Sequence, residues 1–202
     1  MKAILLRHPG GRSALEYVEM PTPRPGVGEV LVKADTIGVS MPEVLVRRGT
    51  YAWMPPLPTI PGIELSGTVV EQGRGVTEPA VGSPVFVSAR DLPVRAGCYA
   101  EYIGVPAAAA HLLPPGCELE AAACLSNYQV AYHLLHSAAR GATAECVLVH
   151  TAAGGVGSAA LYVESVLTLP IAQMPHVVVP LGHAQLCVRV HELVTQRFAQ
   201  HC

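Results

Sequence analysis

An apolar run that leads directly into a glycine-rich turn is the feature that most limits the folds open to this chain. Residues 147–157 read VLVHTAAGGVG, so a short, continuous apolar segment precedes a run of small residues. A segment of this kind is typical of a strand in a parallel sheet. Residues 158–169 can form the helix that leaves the turn. The order of strand, turn and helix predicts the beginning of an α/β domain.

The same turn has the chemistry of a dinucleotide-binding loop. Small residues let the backbone approach a pyrophosphate closely, and free N–H groups at a helix N-terminus stabilise its charge. Ala152 stands where the first glycine is usual, so the strict G-x-G-x-x-G pattern is not met. A tight strand-to-helix connection that binds no ligand is the alternative interpretation. The predicted cofactor-binding residues of the turn are Ala153, Gly154, Gly155, Val156 and Gly157.

The first part of the chain has a different pattern. Short segments there alternate apolar and polar residues, as half-buried strands do, and glycine and proline residues separate them. This pattern predicts a β-barrel or β-sandwich. The segments are residues 2–6, 15–20, 29–35, 63–71, 84–88 and 97–105.

The pattern changes near residue 116. Residues 118–126 and 128–140 have helical composition, and residues 146–150 form the apolar strand before the turn. We therefore expect a mixed α and β fold with two domains, 1–116 and 117–202. The tail, 161–202, is atypical: residues 176–179 suit a second strand and residues 184–200 a terminal helix, with Pro170, Pro175 and Pro180 as breaks.

Composition excludes several function classes. The net charge is −2, which gives no reason to expect a nucleic-acid partner. No segment reaches the roughly 18–20 apolar residues of a membrane span, and no targeting signal is visible, so we expect a cytoplasmic protein without a membrane partner. The six cysteines show no Cys-x-x-Cys spacing, which favours free thiols over a disulfide framework.

Six motifs in one order carry a family resemblance. Together they resemble the quinone oxidoreductases, zeta-crystallins and enoyl reductases of the medium-chain dehydrogenase/reductase superfamily, over about residues 1–160. The motifs are GVSMPE at 38–43, RGTY at 48–51, PTIPGIELSG at 58–67, GCYAEY at 97–102, NYQVAY at 127–132 and VLVHTAAGGVG at 147–157.

The resemblance implies a GroES-like β-barrel domain followed by a Rossmann-type α/β segment. It also implies NADPH as cofactor, with NADH not excluded, and hydride transfer to a small-molecule acceptor. The acceptor is a quinone or an enone, or, as an alternative, an enoyl thioester. Relatives of this family are usually homodimers.

Four residues outside the turn receive roles from the resemblance. Ser40 stands where relatives have an asparagine near the nicotinamide ribose and substrate. Tyr51 matches a tyrosine that enoyl reductases use as proton donor, with packing at the cleft edge as the alternative. Asn127 and Val130 lie in the segment that contacts the cofactor, although Val130 replaces a threonine.

The resemblance also bears on metal binding. Zinc-dependent relatives have a cysteine at the position of Ser40 and a histidine at that of Ile63. Isoleucine cannot bind zinc, and a hydroxyl replaces a thiolate poorly. The family's cluster of four closely spaced cysteines is also missing, so we expect no metal site.

Residues 158–202 resemble the family poorly, and full relatives continue much further. We therefore expect a truncated Rossmann-type domain with impaired activity; a non-catalytic GroES-like remnant that serves as a binding module is the alternative. His183 and Arg189 are the nearby candidates to bind a 2′-phosphate.

Overall fold

The computed structural model describes residues 1–139, 147–167, 177–181 and 184–188. The chain forms two compact units, Met1–Leu125 and Ser126–Cys202. The predicted boundary at residue 116 stays a prediction. Among the described residues, no helix is long and apolar enough to cross a membrane.

An antiparallel sheet of five strands forms the centre of the first unit. The strands of this unit are β1 (Lys2–Leu6), β2 (Leu15–Glu19), β3 (Glu29–Ile37), β4 (Glu64–Gln72), β5 (Pro84–Ser88), β6 (Tyr102–Pro106) and β7 (Ala110–Leu112). The five strands of the sheet pair in the order β6-β3-β4-β5-β7, with register irregularities between β3 and β4. A separate hairpin, β1 with β2, joins the rest of the unit through bridges from Ala3 to Ala100 and from Leu6 to Thr59.

Alternation of side chains along these strands builds the core. The residues that point inwards are mostly β-branched, which suits a pleated, buried surface. Burying each such side chain contributes about 1.5–3 kcal/mol relative to leaving it exposed. The core includes Val30, Val32, Leu65, Val69, Val85, Val87 and Val105. The six predicted strands are all present. The strands at 2–6 and 84–88 have the predicted ends, the other four have shifted ends, and the last begins at Tyr102 rather than at residue 97.

A helix that the strand pattern did not predict interrupts the first unit. Helix α1 (Met41–Arg48) begins after Ser40 and ends at Gly49, which has the left-handed conformation (φ 74°). Ser40 and Glu43 form a capping box, and the sequence carries its signature: serine, then glutamate three residues later. The helix places Ser40 at its N-terminus.

Two helices precede a small mixed sheet that belongs to the second unit. The two helices predicted over 118–140 are present with shifted ends: α2 (Leu119–Ala122), in the first unit, and α3 (Leu125–Tyr132), which continues as a π-helical segment (His133–Ala138). Strand β8 (Val147–Leu148) pairs in parallel with β9 (Val177–Leu181), and helix α4 (Gly155–Leu167) lies between them in the chain. The predicted strand, turn and helix are therefore confirmed.

The prediction of a helix over 184–200 is wrong for its first residues. Strand β10 (Ala184–Val188) pairs antiparallel with β9, with Leu186 opposite Val179. Its backbone groups therefore bond across a hairpin, and this tertiary pairing overrides the local helical periodicity. Residues 189–200, on which that periodicity mainly depended, lie outside the described residues, as do His183 and Arg189.

Candidate functional site: a glycine-rich turn and a buried carboxylate network

The turn between β8 and α4 is held together by short backbone contacts. The Gly154 amide donates to the Thr151 carbonyl at 2.8 Å, and the Ser158 amide donates to the Gly154 carbonyl at 2.8 Å. The Ser158 hydroxyl donates to the Ala152 carbonyl at 3.0 Å. The first amides of a helix have no partner within it, so the α4 N-terminus offers donors to an anion.

Gly157 is required for steric reasons. A Cβ atom there would lie 2.3 Å from the Thr151 carbonyl oxygen and 2.7 Å from the Ala152 Cα, both of them backbone atoms. The first turn of α4 can pack this closely on the end of β8 only when the residue has no side chain. This glycine therefore has the close-packing role that a dinucleotide fold requires.

Thr151 is a component of the turn that the sequence did not identify. It has φ 56°, the one positive φ among the described residues that are not glycine. A β-branched residue rarely adopts this left-handed conformation, so the backbone here is strained. The Thr151 carbonyl is also the group that Gly154 binds and that Gly157 approaches. No sequence motif marks such a residue, because its conformation depends on the surrounding packing.

The missing first glycine has a structural explanation. Ala152 is buried, and its methyl group packs with Val149 and Leu161. Since Ala152 has no positive φ, the backbone there does not need glycine. The departure from the strict motif is therefore compatible with the turn.

Asn127 lies against the turn, and its cofactor-binding role stays a prediction. A Cβ atom on Gly155 would come within 2.7 Å of the Asn127 side-chain nitrogen. The structure thus brings Asn127 and Gly155 together. Val130, on the same helix, is half-buried, and Ala153 is exposed on the turn.

A cavity of about 720 Å³ adjoins the turn. This volume is in the range of small-molecule and cofactor sites. Three of the predicted residues, Gly154, Val156 and Gly157, contribute to its wall. The remaining lining is mainly apolar: Leu134, Leu135, Ala138, Ala139, Val149, His150, Thr151 and Ala160.

In the first unit, a buried carboxylate fixes Ser40. The Ser40 hydroxyl donates to Glu43 Oε2 at 2.9 Å, and the Ser40 amide donates to the same oxygen at 3.0 Å. Glu43 Oε1 accepts from the Ile63 amide at 3.1 Å. The side chain of Glu43 therefore links the start of α1 to the entry of β4. Glu43 was not among the predicted site residues, although the capping-box spacing indicated its bond to Ser40.

Further polar groups lie around Glu43. Burial, with the nearby charges of Glu43 and Glu64, raises the pKa of the Cys98 thiol well above its usual range. The same causes, burial first, raise the pKa of Tyr99. The Tyr99 hydroxyl is buried and has no hydrogen-bond partner among the residues that the structure describes. Glu64 is buried as well, with its side chain against Gly38.

Tyr51 is half-buried beside the hairpin and α1. Its ring packs on the cluster of Leu6, Ala14 and Val46 and meets the Trp53 ring edge-on, with 5.7 Å between centroids. This placement agrees with packing and leaves the proton-donor role a prediction.

The residues at the family's zinc-ligand positions are committed to other contacts. The side chain of Ile63 belongs to the apolar core of the sheet, and the Ser40 hydroxyl is bonded to Glu43. Within the described part of the chain, no group of three or more His, Cys, Asp or Glu residues is placed to hold a metal ion.

Comparison with known proteins defines the class of the fold. Residues 26–115 match the alcohol dehydrogenase GroES-like domain. The chain is 37% identical over 164 residues to the synaptic vesicle membrane protein VAT-1 homolog of Rattus norvegicus, covering 80% of this chain and 39% of that protein. It is 35% identical over 163 residues to the quinone oxidoreductase of Lama guanicoe, covering 79% of this chain and 48% of that protein.

A solved structure gives the same result. The quinone oxidoreductase from Thermus thermophilus, known also in complex with NADPH, superposes with a TM-score of 0.69 at 32% identity. The match covers 89% of this chain and 52% of that one. The chain thus spans 39–52% of the length of these three relatives.

A GroES-like sheet followed by a strand, a glycine-rich turn and a helix defines a medium-chain dehydrogenase/reductase. Within that superfamily, the chain is similar to the VAT-1 homologs and to the quinone oxidoreductases. The resemblance and the fold class inferred from the sequence are therefore confirmed.

Proposed function

We propose that this chain acts in NADPH-dependent hydride transfer to a quinone or enone acceptor, without zinc. The observation that carries the proposal is the turn at 151–157. There Gly157 lets α4 pack directly on the backbone of Thr151, and the amides of the helix N-terminus remain available for a pyrophosphate. Relatives solved with NADPH support this choice of cofactor.

The residues of the turn fit such a cofactor. Gly154, Gly155 and Val156 would offer backbone amides, and the Asn127 side chain lies against the same turn. When bound, NADPH supplies the hydride. The residues of the turn bind and orient it through backbone groups, which impose no side-chain bulk near the phosphates.

Ser40 would present its hydroxyl as a hydrogen-bond acceptor. Its proton is directed to Glu43 at 2.9 Å, and the capping box leaves one oxygen lone pair that can receive a ribose or substrate hydroxyl. The proposal of zinc independence depends on the same bond and on Ile63, whose side chain is in the core. Tyr51 is the candidate proton donor, and Val130 a candidate contact of the cofactor.

Titration of the full chain with NADPH by isothermal calorimetry tests the proposal. We expect saturable binding that is lost in Gly157→Val. Gly11→Ala is the matched control, because Gly11 has no atom near its absent Cβ. A folded chain that binds no NADPH at millimolar concentration would contradict the proposal and support the binding-module alternative.

The acceptor is then identified by following NADPH oxidation with a quinone and an enoyl thioester in parallel. We expect faster turnover with the quinone. Preferential turnover of the thioester, together with a loss of that activity in Tyr51→Phe, would instead assign the enoyl reductase reaction.

A further inference from the structure

Thr151 carries a side chain that its backbone conformation disfavours. Its φ of 56° lies in the left-handed region, where a β-branched residue is strained and glycine is not. Strained residues of this kind cluster at sites that bind ligands, because the strain has to be offset by another gain. The threonine side chain therefore needs a reason of its own.

The backbone contacts of the turn do not require threonine. The Thr151 carbonyl accepts a hydrogen bond from the Gly154 amide at 2.8 Å, and Gly157 approaches the same carbonyl. Glycine at position 151 would supply this carbonyl without strain. Thr151 is also exposed, so its side chain contributes little to the apolar core. Neither the backbone contacts nor the core accounts for the side chain.

Thr151 borders the cavity beside the turn. It forms part of the cavity wall together with Gly154, Val156 and Gly157. Its methyl carbon faces Gly154, at 3.3 Å from the place where a Cβ atom on that glycine would lie. Among the residues that the structure describes, the hydroxyl that bonds to the backbone of the turn is that of Ser158. The Thr151 hydroxyl is therefore available to a ligand as a donor.

We propose that Thr151 is a cofactor-binding residue whose hydroxyl donates a hydrogen bond to a pyrophosphate oxygen of NADPH. A hydrogen bond to a charged oxygen is stronger than one to a neutral oxygen. Branching at Cβ restricts rotation about χ1, so little ordering is needed when the cofactor binds. This inference deepens the proposed function and rests on it: backbone amides of the turn bind the pyrophosphate, and Thr151 adds a side-chain donor.

The proposal implies that Thr151 lowers the stability of the fold and raises the affinity for the cofactor. The strain is present in the folded chain whether or not NADPH is bound, and it disappears on unfolding. The hydrogen bond to pyrophosphate exists only in the complex. A side chain that served packing would raise stability instead, so experiment can separate the two roles.

Four side chains at position 151 separate the hydroxyl from the branch at Cβ. Threonine has both, Thr151→Ser keeps the hydroxyl, Thr151→Val keeps the branch, and Thr151→Ala has neither. In calorimetry of the full chain, Thr151→Val and Thr151→Ala should each bind NADPH about tenfold more weakly, while Thr151→Ser should stay within about threefold of the parent. Thr77→Val, the same change at an exposed threonine of the first unit, should have no effect. Equal affinities of Thr151→Ser and Thr151→Ala would overturn the proposal.

Substitution by glycine tests the strain. Thr151→Gly should unfold at a higher urea concentration than the parent chain, as followed by circular dichroism, because it removes the strain. Thr77→Gly is the matched control. Thr77 has no positive φ, so the added freedom of the unfolded chain should lower its midpoint. A midpoint of Thr151→Gly below that of the parent would show that the side chain stabilises the turn, and would overturn the proposal that it is kept for binding.

Inorganic pyrophosphate distinguishes this inference from the proposed function. In titrations followed by phosphorus NMR line broadening, it should bind Thr151→Val about tenfold more weakly than the parent chain, since the hydrogen bond lies at the pyrophosphate. Affinities for NADPH and pyrophosphate that are equal in the two chains would overturn the inference and leave the proposed function standing. Pyrophosphate binding that depends on Thr151, in a chain that binds no NADPH, would contradict the proposed function alone.

Discussion

The first unit fixes Ser40 with a charged side chain, whereas the second fixes its glycine-rich turn with backbone contacts. In the first, the buried carboxylate of Glu43 accepts three hydrogen bonds, two from Ser40 and one from Ile63. In the second, the Thr151 carbonyl lies so close to Gly157 that a Cβ atom has no space.

The two constructions should respond differently to substitution. A side-chain network can be weakened in steps, because a shorter or neutral side chain keeps some of its hydrogen bonds. A steric requirement of the backbone cannot be weakened in steps, because even a methyl group already overlaps a main-chain atom. The predictions below test this difference, from the largest expected effect to the smallest.

Gly157→Ala should have the largest effect. Its methyl group would lie 2.3 Å from the Thr151 oxygen, so the turn must move. Keeping the turn in its binding conformation should then cost about 3 kcal/mol, the upper end for an overpacked site. We therefore expect the affinity for NADPH, measured by calorimetry, to be at least about 100-fold lower. Gly154→Ala is the graded control, since its nearest contact is 3.2 Å and a small shift relieves it. Equal affinities in the two variants would show that the turn is not sterically fixed.

Glu43→Ala should come next, as a test of the side-chain network. It leaves the half-buried amide of Ser40 and the buried amide of Ile63 without their acceptor. We expect the free energy of unfolding in urea to fall by about 2–3 kcal/mol, and by less in Glu43→Gln, which keeps one acceptor oxygen. Glu71→Ala, at an exposed carboxylate on β4, should change it by less than about 0.5 kcal/mol. If Glu43→Ala were as mild as Glu71→Ala, the network would not stabilise the first unit.

The sequence predicted one of these constructions better than the other. Strand, turn and helix at 147–167 followed from the apolar run and the glycines, because the local pattern contains the whole motif. Helix α1 was missed, although serine and glutamate at 40 and 43 carry the capping-box signature. The strained Thr151 and the contact of Glu43 with Ile63 depend on residues that only the fold brings together, so no local pattern predicts them.

Alkaline pH offers a third, smaller test, specific to the first unit. Burial raises the pKa of Cys98, so the folded state keeps the thiol protonated where the unfolded state ionises it, above about pH 8.5. The contribution of this thiol to the free energy of unfolding is complete below that pH. It is lost as the pH rises, by at most about 1.4 kcal/mol per pH unit. Urea unfolding between pH 8 and 9.5 should show this decline.

Cys98→Ala should flatten the decline, even if it lowers stability at pH 8 by leaving a small cavity. A slope that is unaltered by Cys98→Ala would mean that another group titrates.

Tyr99→Phe should have the smallest effect on the free energy of unfolding. It tests which buried polar groups belong to the hydrogen-bond network of Glu43. The Tyr99 hydroxyl is buried near the carboxylates, yet it has no hydrogen-bond partner among the described residues. Removing it breaks no bond and relieves an unfavourable desolvation, so the free energy of unfolding should stay level or rise by up to about 1 kcal/mol. A loss above about 1 kcal/mol in urea unfolding would show that the hydroxyl belongs to the network. The expected result would limit that network to the groups that Glu43 binds. The difference between the first unit and the backbone-fixed turn would then depend on one carboxylate, and not on every buried polar group near it.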